Sequence, residues 1–370
     1  MTQSYTATDP PPPVQDRGRS TYAVADKFAA AALRGLPKIP DGVKRVLLGG
    51  RSITLDGNTL DTTLQLMLKA EQALGVGGLV ADDDVVAARL ELEELADSFR
   101  QRIPVSAVTD LTVKGAAGSI SARHYRTDEP DAPLLVYYHG GGQVIGSIET
   151  HDDLCRQLCR AGDIHVLSVD YRLAPEHKAP AGSEDAYAAY LWAREHAAEL
   201  GADPARVAVG GDSAGGNLAA LVSIRARDEK ESPPALQLLL YPVTDYQTQT
   251  RSQTLFAHGF FLTRRDIDWF RNQFLGGASV DEADPRVSPL LADDLSGLAP
   301  ALVVTAGFDP LRDEGRGYAE AMGQAGVPVD HREYGSLVHG FANFFPLGGA
   351  SACATAEVIS AMRAHLTRAG

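Results

Sequence analysis

Residues 211–216, Gly-Asp-Ser-Ala-Gly-Gly, restrict the folds open to this chain more than any other stretch. They follow the β-branched, apolar run Arg206-Val-Ala-Val-Gly210 and precede Asn217-Leu-Ala-Ala-Leu-Val-Ser-Ile224, whose small and apolar residues recur at helical spacing. A strand that ends in G-x-S-x-G and turns at once into a helix holds its serine on a sharp, strained bend above a sheet edge. Glycines at 211 and 215 suit that bend because strand and helix approach too closely for a side chain. Read blandly, Ser213 caps a helix after a glycine-rich turn. Read for chemistry, Ser213 is a candidate nucleophile.

A second loop favours the chemical reading. His139-Gly140-Gly141-Gly142 follows another buried-looking run, Leu134-Leu-Val-Tyr-Tyr138. Acyl transfer needs backbone N–H groups aimed at a developing oxyanion, and a glycine loop after an early strand supplies them together with the residue after the nucleophile. The candidate donors are Gly140, Gly141, Gly142 and Ala214. Spacing does not decide which two of the three glycines donate.

The remaining chain reads as strands alternating with helices, which calls for a largely parallel sheet covered on both faces. Val108–Val113 and Ser119–Tyr125 form a hairpin around residues 115–118. Strands follow at 134–138, 165–169, 206–210, 236–241, 301–305 and 329–334, with helices near 152–159, 183–199, 217–224, 313–325 and 352–367. Ahead of this lie a Pro-rich stretch over 1–20, expected to be a disordered or extended tail, and a helical region over 21–104. Two apolar stripes run along that region: Leu60, Leu64, Met67, Leu68 and Leu74, then Val85, Leu92, Leu95 and Phe99. Between 245 and 291 the alternation stops, and Phe256, Phe260, Phe261, Trp269, Phe270 and Phe274 accumulate without a strand. An aromatic insertion between two strands is where a lid is built. The expected division is therefore a tail (1–20), an N-terminal helical cap region (21–104), a core in two parts (105–244 and 292–370) and a cap insertion (245–291).

A net charge of −14 argues against nucleic acid or an anionic membrane as partner. No apolar run is long enough to span a bilayer, and residues 1–20 carry no apolar signal segment. Three cysteines do not make a disulfide scaffold, and no His or Cys cluster around Cys155 and Cys159 completes a metal site. Reduced cysteines fit a cytoplasmic protein.

A serine nucleophile needs a base, and the base needs an orienting carboxylate. Of the histidines in play, His196 precedes the elbow, His258 falls in the insertion and His331 lies within a strand. His339, in the loop after the last strand, can reach over the sheet's edge. Asp245 and Asp309 both follow strands; Asp309 is preferred because one βα unit then separates it from His339. Asp313 reads as a helix N-terminal residue favoured by the dipole, and Asp212 as a structural acceptor at the elbow.

Together these motifs resemble the hormone-sensitive-lipase-like carboxylesterases of the α/β-hydrolase superfamily. The residues carrying the likeness are His139–Gly142, Gly211–Gly216, Tyr171-Arg-Leu-Ala-Pro-Glu176, Asp309-Pro-Leu-Arg-Asp313 and His339-Gly-Phe341, in the family's order. The resemblance implies an α/β-hydrolase fold with a mostly parallel eight-stranded sheet and a helical cap. It also implies a Ser213–Asp309–His339 triad, an oxyanion hole at Gly140–Gly142 and Ala214, no cofactor and no metal. The expected substrate is a small short- to medium-chain acyl ester, and the expected assembly a monomer or homodimer. Residues 171–176 would support the pocket from behind. Gln143 departs from the often aromatic residue after the glycine triplet and is expected to shape the acyl pocket. Two other outcomes stay open: an amidase or peptidase with the same serine chemistry, and a non-catalytic small-molecule receptor, which the presence of His339 disfavours.

Overall fold

The computed structural model describes residues 35–73, 77–81 and 83–368. The expected tail, the first part of the 21–104 region and Leu74 lie outside them. Eight strands form one sheet: β1 (Ala107–Lys114), β2 (Ser119–Arg126), β3 (Ala132–Tyr138), β4 (His165–Val169), β5 (Ala202–Asp212), β6 (Gln237–Leu240), β7 (Ala301–Phe308) and β8 (Val329–Val338). Their order is β8-β7-β6-β5-β3-β4-β2-β1. Only β2 is antiparallel to its neighbours; all other pairs are parallel. The central strands read as unbroken apolar runs because both their faces are covered, and every residue of β3, β4, β6 and β7 is buried.

Helices α1 (Asp41–Leu47), α2 (Thr62–Ala73), α3 (Val85–Phe99), α4 (Asp152–Gly162), α5 (Ala181–His196), α6 (Ala214–Asp228), α7 (Arg251–Leu255), α8 (Arg264–Leu275), α9 (Arg312–Gln324) and α10 (Gly349–Arg368) surround the sheet. One face packs against α4 and α10 through Leu154, Leu158, Ile359 and Met362. The other packs against α5, α6 and α9 through Tyr190, Leu218, Val222 and Tyr318.

The two N-terminal stripes meet at one end. Leu60, Leu64 and Met67 join the core cluster that holds Val338, Phe341 and Phe344, and the C-terminal end of α3 reaches the same cluster, with Phe99 edge-on to Phe344 at 6.1 Å. The Asp61 amide donates to the Ser336 carbonyl at 2.9 Å, and Arg312 reaches Asp56 at 2.8 Å. Ala88 of α3 instead belongs to a third cluster with Phe270 and Phe274 of α8, Val144, Ile145 and Leu311.

A buried carboxylate fastens the segment before α3 to α8. Asp266, 1% exposed, accepts from the Leu79 and Val80 amides at 3.1 and 3.0 Å, and from the amide and hydroxyl of Thr263 at 2.8 and 2.7 Å. Removing one partner of a buried, charge-assisted set leaves its donors unsatisfied. Asp266→Ala is expected to destabilise the protein by about 3 kcal/mol in urea unfolding; an unchanged midpoint would show that this tie carries no stability.

Arg89 anchors α3 itself. Its guanidinium pairs with both carboxylate oxygens of Glu176 at 2.8 Å and donates to the Val144 and Ala174 carbonyls at 2.9 and 3.0 Å. The Arg89 hydrogen bond holds the Glu176 carboxyl down to about 2 against a small burial effect. The segment 171–176 thus lies behind the glycine loop: Tyr171 donates to the His139 carbonyl at 2.7 Å, and Arg172 forks onto Asp185 at 2.6 and 3.1 Å.

Candidate active site

The loops after β3, β5, β6, β7 and β8 all leave from the same sheet edge, where ligand sites of parallel sheets form. Between β5 and α6, Ser213 has φ 54° and ψ −117°, a sparsely populated conformation that aims its hydroxyl away from the sheet. The bend is tight enough that a Cβ at Gly211 or Gly215 would collide with the Tyr138 carbonyl on β3. Register explains it: Gly211 pairs directly with Tyr138.

His339 lies just beyond β8, with Gly340 at φ 77° turning the chain immediately after it. Its Nε2 is 2.9 Å from the Ser213 hydroxyl and its Nδ1 is 2.8 Å from Asp309 Oδ2. Asp309 is fully buried, and its other oxygen accepts the Leu311 amide at 2.8 Å. A carboxylate on Nδ1 fixes the imidazole so that Nε2 faces the hydroxyl as an acceptor. Asp245, the other strand-end carboxylate, accepts the Gln247 and Thr248 amides at 2.8 and 3.0 Å and closes its own turn. The other histidines are elsewhere: His258 is exposed, His331 meets the Thr305 hydroxyl at 3.0 Å, and His196 bonds the Trp192 carbonyl at 2.9 Å. Asp313 accepts the Ser252 amide at 2.8 Å from the first turn of α9.

The glycine loop divides its amides. Gly140 donates to Asp212 Oδ1 at 2.9 Å, so of the three candidate glycines it is the one whose N–H is already engaged within the protein. Gly141 and Gly142 have φ of 113° and 62°, and neither amide has an intramolecular acceptor among the described residues. Ala214 opens α6, where the first amides of a helix lack intrahelical partners. Gly142 also sits against Phe270 of α8, and a Cβ there would strike the ring.

Gln143 requires a correction. It is 1% exposed and does not line the cavity; its amide nitrogen donates to Asn217 Oδ1 at 3.2 Å. A φ of 59° directly after Gly142 turns this side chain into the body of the protein, where Asn217 waits at the start of α6.

Asp212 lies under the whole assembly. Besides Gly140, it accepts from the Tyr137 hydroxyl at 2.7 Å, Asn343 Nδ2 at 3.0 Å and His151 at 3.2 Å. Burial pushes its carboxyl up, but the His151 charge and the hydrogen bonds from His151 and Tyr137 outweigh this and hold it down to about 2. Burial and the neighbouring His151 drive His139 the other way, down to about 3, so its ring is neutral and stacks on Tyr171 at 4.5 Å. His151 and Asn343 escape sequence reading. Their positions, one at the start of α4 and one in the turn after His339, carry no signal that both meet the residue before Ser213.

The cavity over Ser213 is mostly apolar, walled by Leu92, Leu95 and Phe99 of α3, Ile267 and Phe270 of α8, and Phe344. One carboxyl, Glu314 of α9, is set into its wall. Burial pushes it up to about 8, although the Thr244 and Asp245 amides donating to it oppose that shift.

Comparison with known proteins agrees with this architecture. A family model described as alpha/beta hydrolase fold matches residues 135–343. The carboxylic ester hydrolase LipN of Mycobacterium tuberculosis (strain ATCC 25618 / H37Rv) is 59% identical over 355 residues, 94% of each chain. An ethyl acetate hydrolase of Pseudomonas putida is 37% identical over 265 residues, 70% of this chain and 83% of its own. Among solved structures, a hyperthermophilic esterase from the archaeon Pyrobaculum calidifontis matches with a TM-score of 0.75 at 40% identity, over 81% of this chain and 97% of that one. An ester hydrolase from the metagenome of Lake Arreo, solved with a bipyridine phosphonate derivative, matches with a TM-score of 0.76 at 42% identity, over 82% and 96%. With its eight-stranded sheet, its serine on the elbow after β5 and relatives of this identity and coverage, the chain belongs to the α/β-hydrolase family, among its hormone-sensitive-lipase-like carboxylesterases.

Proposed function

We propose that this carboxylesterase hydrolyses short- to medium-chain acyl esters through an acyl-enzyme on Ser213. The observation that carries the reading is the continuous hydrogen-bonded path from the Ser213 hydroxyl through His339 to Asp309, beside the unpaired amides of Gly141 and Gly142. Ser213 Oγ attacks the ester carbonyl carbon as His339 Nε2 takes its proton. Asp309 holds the ring's orientation and stabilises the imidazolium. Negative charge gathers on the former carbonyl oxygen, and the amides of Gly141, Gly142 and Ala214 stabilise it there. Collapse of the tetrahedral intermediate expels the alcohol, which receives the proton from His339. Water, deprotonated by the same imidazole, then attacks the acyl carbon; the carboxylic acid leaves and Ser213 recovers its hydrogen.

Acyl length follows from the walls. The cavity is apolar, and α3 and α8 close over it through residues from both segments, Leu95 and Phe270 among them. Such a space rewards methylenes until the chain reaches the cap, after which each further carbon must displace packed side chains. With p-nitrophenyl esters from acetate to palmitate, kcat/KM is expected to peak at or below a medium-length chain and fall by more than tenfold at palmitate. A profile still rising at palmitate would mean that the cap opens and that long-chain esters are the substrates. Matched ester and amide substrates separate the amidase alternative, which no feature of the cavity favours.

A further inference from the structure

Asp309 sits on a turn that closes on itself. The Leu311 amide is 2.8 Å from Asp309 Oδ1, and the Arg312 amide is 3.1 Å from the Asp309 carbonyl. Those bonds fix the shape of the turn but not where it lies at the sheet edge. A carboxylate that must stay against an imidazole needs support from the shell behind it.

One support comes from α7. Ser252, fully buried, donates its hydroxyl to the Pro310 carbonyl at 2.7 Å and accepts the Asp313 amide at 3.2 Å. Its own amide donates to Asp313 Oδ2 at 2.8 Å. A second support comes from the segment before α2. The buried Arg312 guanidinium lies over the Phe256 ring, donates to the Gly307 carbonyl of β7 at 3.2 Å and reaches Asp56 Oδ2 at 2.8 Å. It thus ties the end of the turn back to the strand that the turn leaves. Asp313 also pairs with Arg312 at 2.9 Å, but it is the next residue of the same segment, so the outside anchors are Ser252 and Asp56. The other partner of Asp56, Arg251, is exposed. None of Ser252, Asp56 and Arg312 lines the cavity, so substrate binding does not depend on them directly.

We propose that Ser252 and Asp56 are positioning residues for the hydrolytic reaction: they grip the Asp309 turn, Ser252 directly and Asp56 through Arg312, and so keep its carboxylate against His339. The proposal rests on the triad reading above and fails separately from it, since Ser213→Ala and Asp309→Asn test the triad alone. The decisive variant combines Ser252→Ala with Asp56→Asn. Its kcat for p-nitrophenyl butyrate is expected to fall roughly 10- to 100-fold, well short of the loss in Asp309→Asn, with KM within about threefold. Arg251→Gln removes the exposed partner of Asp56 and leaves the grip on Arg312, so its kcat should stay within about twofold of wild type.

Rates are taken per active site, counted by the burst of p-nitrophenol released by a phosphate triester, so that a folding defect does not pass for a slower reaction. Wild-type kcat per active site in the double variant would overturn the proposal. A purely structural role would leave the bond between Asp309 and His339 intact in folded molecules, and the low-field proton resonance of His339 Nδ1–H reads that bond. The signal, assigned by its loss in Asp309→Asn, should move upfield in the double variant and stay in place in Arg251→Gln. An unmoved signal in the double variant would overturn the proposal. If that variant does not fold, the same signal in Asp56→Asn, altered only at an exposed turn residue, decides in the same way.

Discussion

Ser213→Ala is expected to lower kcat for p-nitrophenyl acetate by about a million-fold, in line with serine hydrolases stripped of the nucleophile. The size follows from what is lost. On the proposed mechanism the hydroxyl oxygen forms the acyl bond, and without it only the apolar cavity and the free amides remain to favour the transition state. The fold should survive, because the Ser213 side chain makes no capping hydrogen bond to α6 and the elbow is held by backbone contacts: its amide donates to the Leu240 carbonyl at 2.8 Å, and its carbonyl accepts the Asn217 amide at 3.1 Å. Thermal unfolding should therefore shift little while turnover disappears. Retention of even a few per cent of the activity by a repurified variant would remove Ser213 from the reaction.

Asp309→Asn carries the second largest expected effect, about 10⁴ in kcat. The substitution keeps shape and volume in a fully buried site and leaves one oxygen to accept the Leu311 amide. That bond favours presenting the new NH₂ group to His339 Nδ1. The ring must then carry its proton on Nε2, the wrong nitrogen for accepting one from Ser213. Asp245→Asn is the matching control. Its carboxylate closes a turn through two amides and touches no imidazole, so its loss of kcat should stay below about tenfold. Reversal of these two results would transfer the acid's role from one loop to its neighbour.

The contrast between these aspartates shows what the sequence carries and where it stops. Glycine at 211 and 215, the β-branched run before them and the small residues after them are local requirements of a tight strand-to-helix bend, so the elbow was legible. The strands were legible for the same reason, since burial on both faces writes continuous apolar runs. Asp245 and Asp309 both follow buried strands, and order along the chain preferred Asp309; only distance separates their partners. Gln143 looked like a pocket residue because it follows the glycine triplet, but the positive φ at 142 and 143 sends its side chain inward. The division of the 21–104 region was not legible either. The stripes at 60–68 and 85–99 have similar patterns and both reach the cluster around Phe344, yet only the second lines the cavity, and that difference depends on surfaces far away along the chain.

The most direct test of the account is a crystal structure of the enzyme inactivated by a p-nitrophenyl alkylphosphonate. The account predicts phosphorus bonded to Ser213 Oγ, with the phosphoryl oxygen about 2.7–3.1 Å from the amides of Gly141, Gly142 and Ala214, and His339 still paired with Asp309. Phosphorus on any other residue, or a phosphoryl oxygen turned away from those three amides, would contradict it.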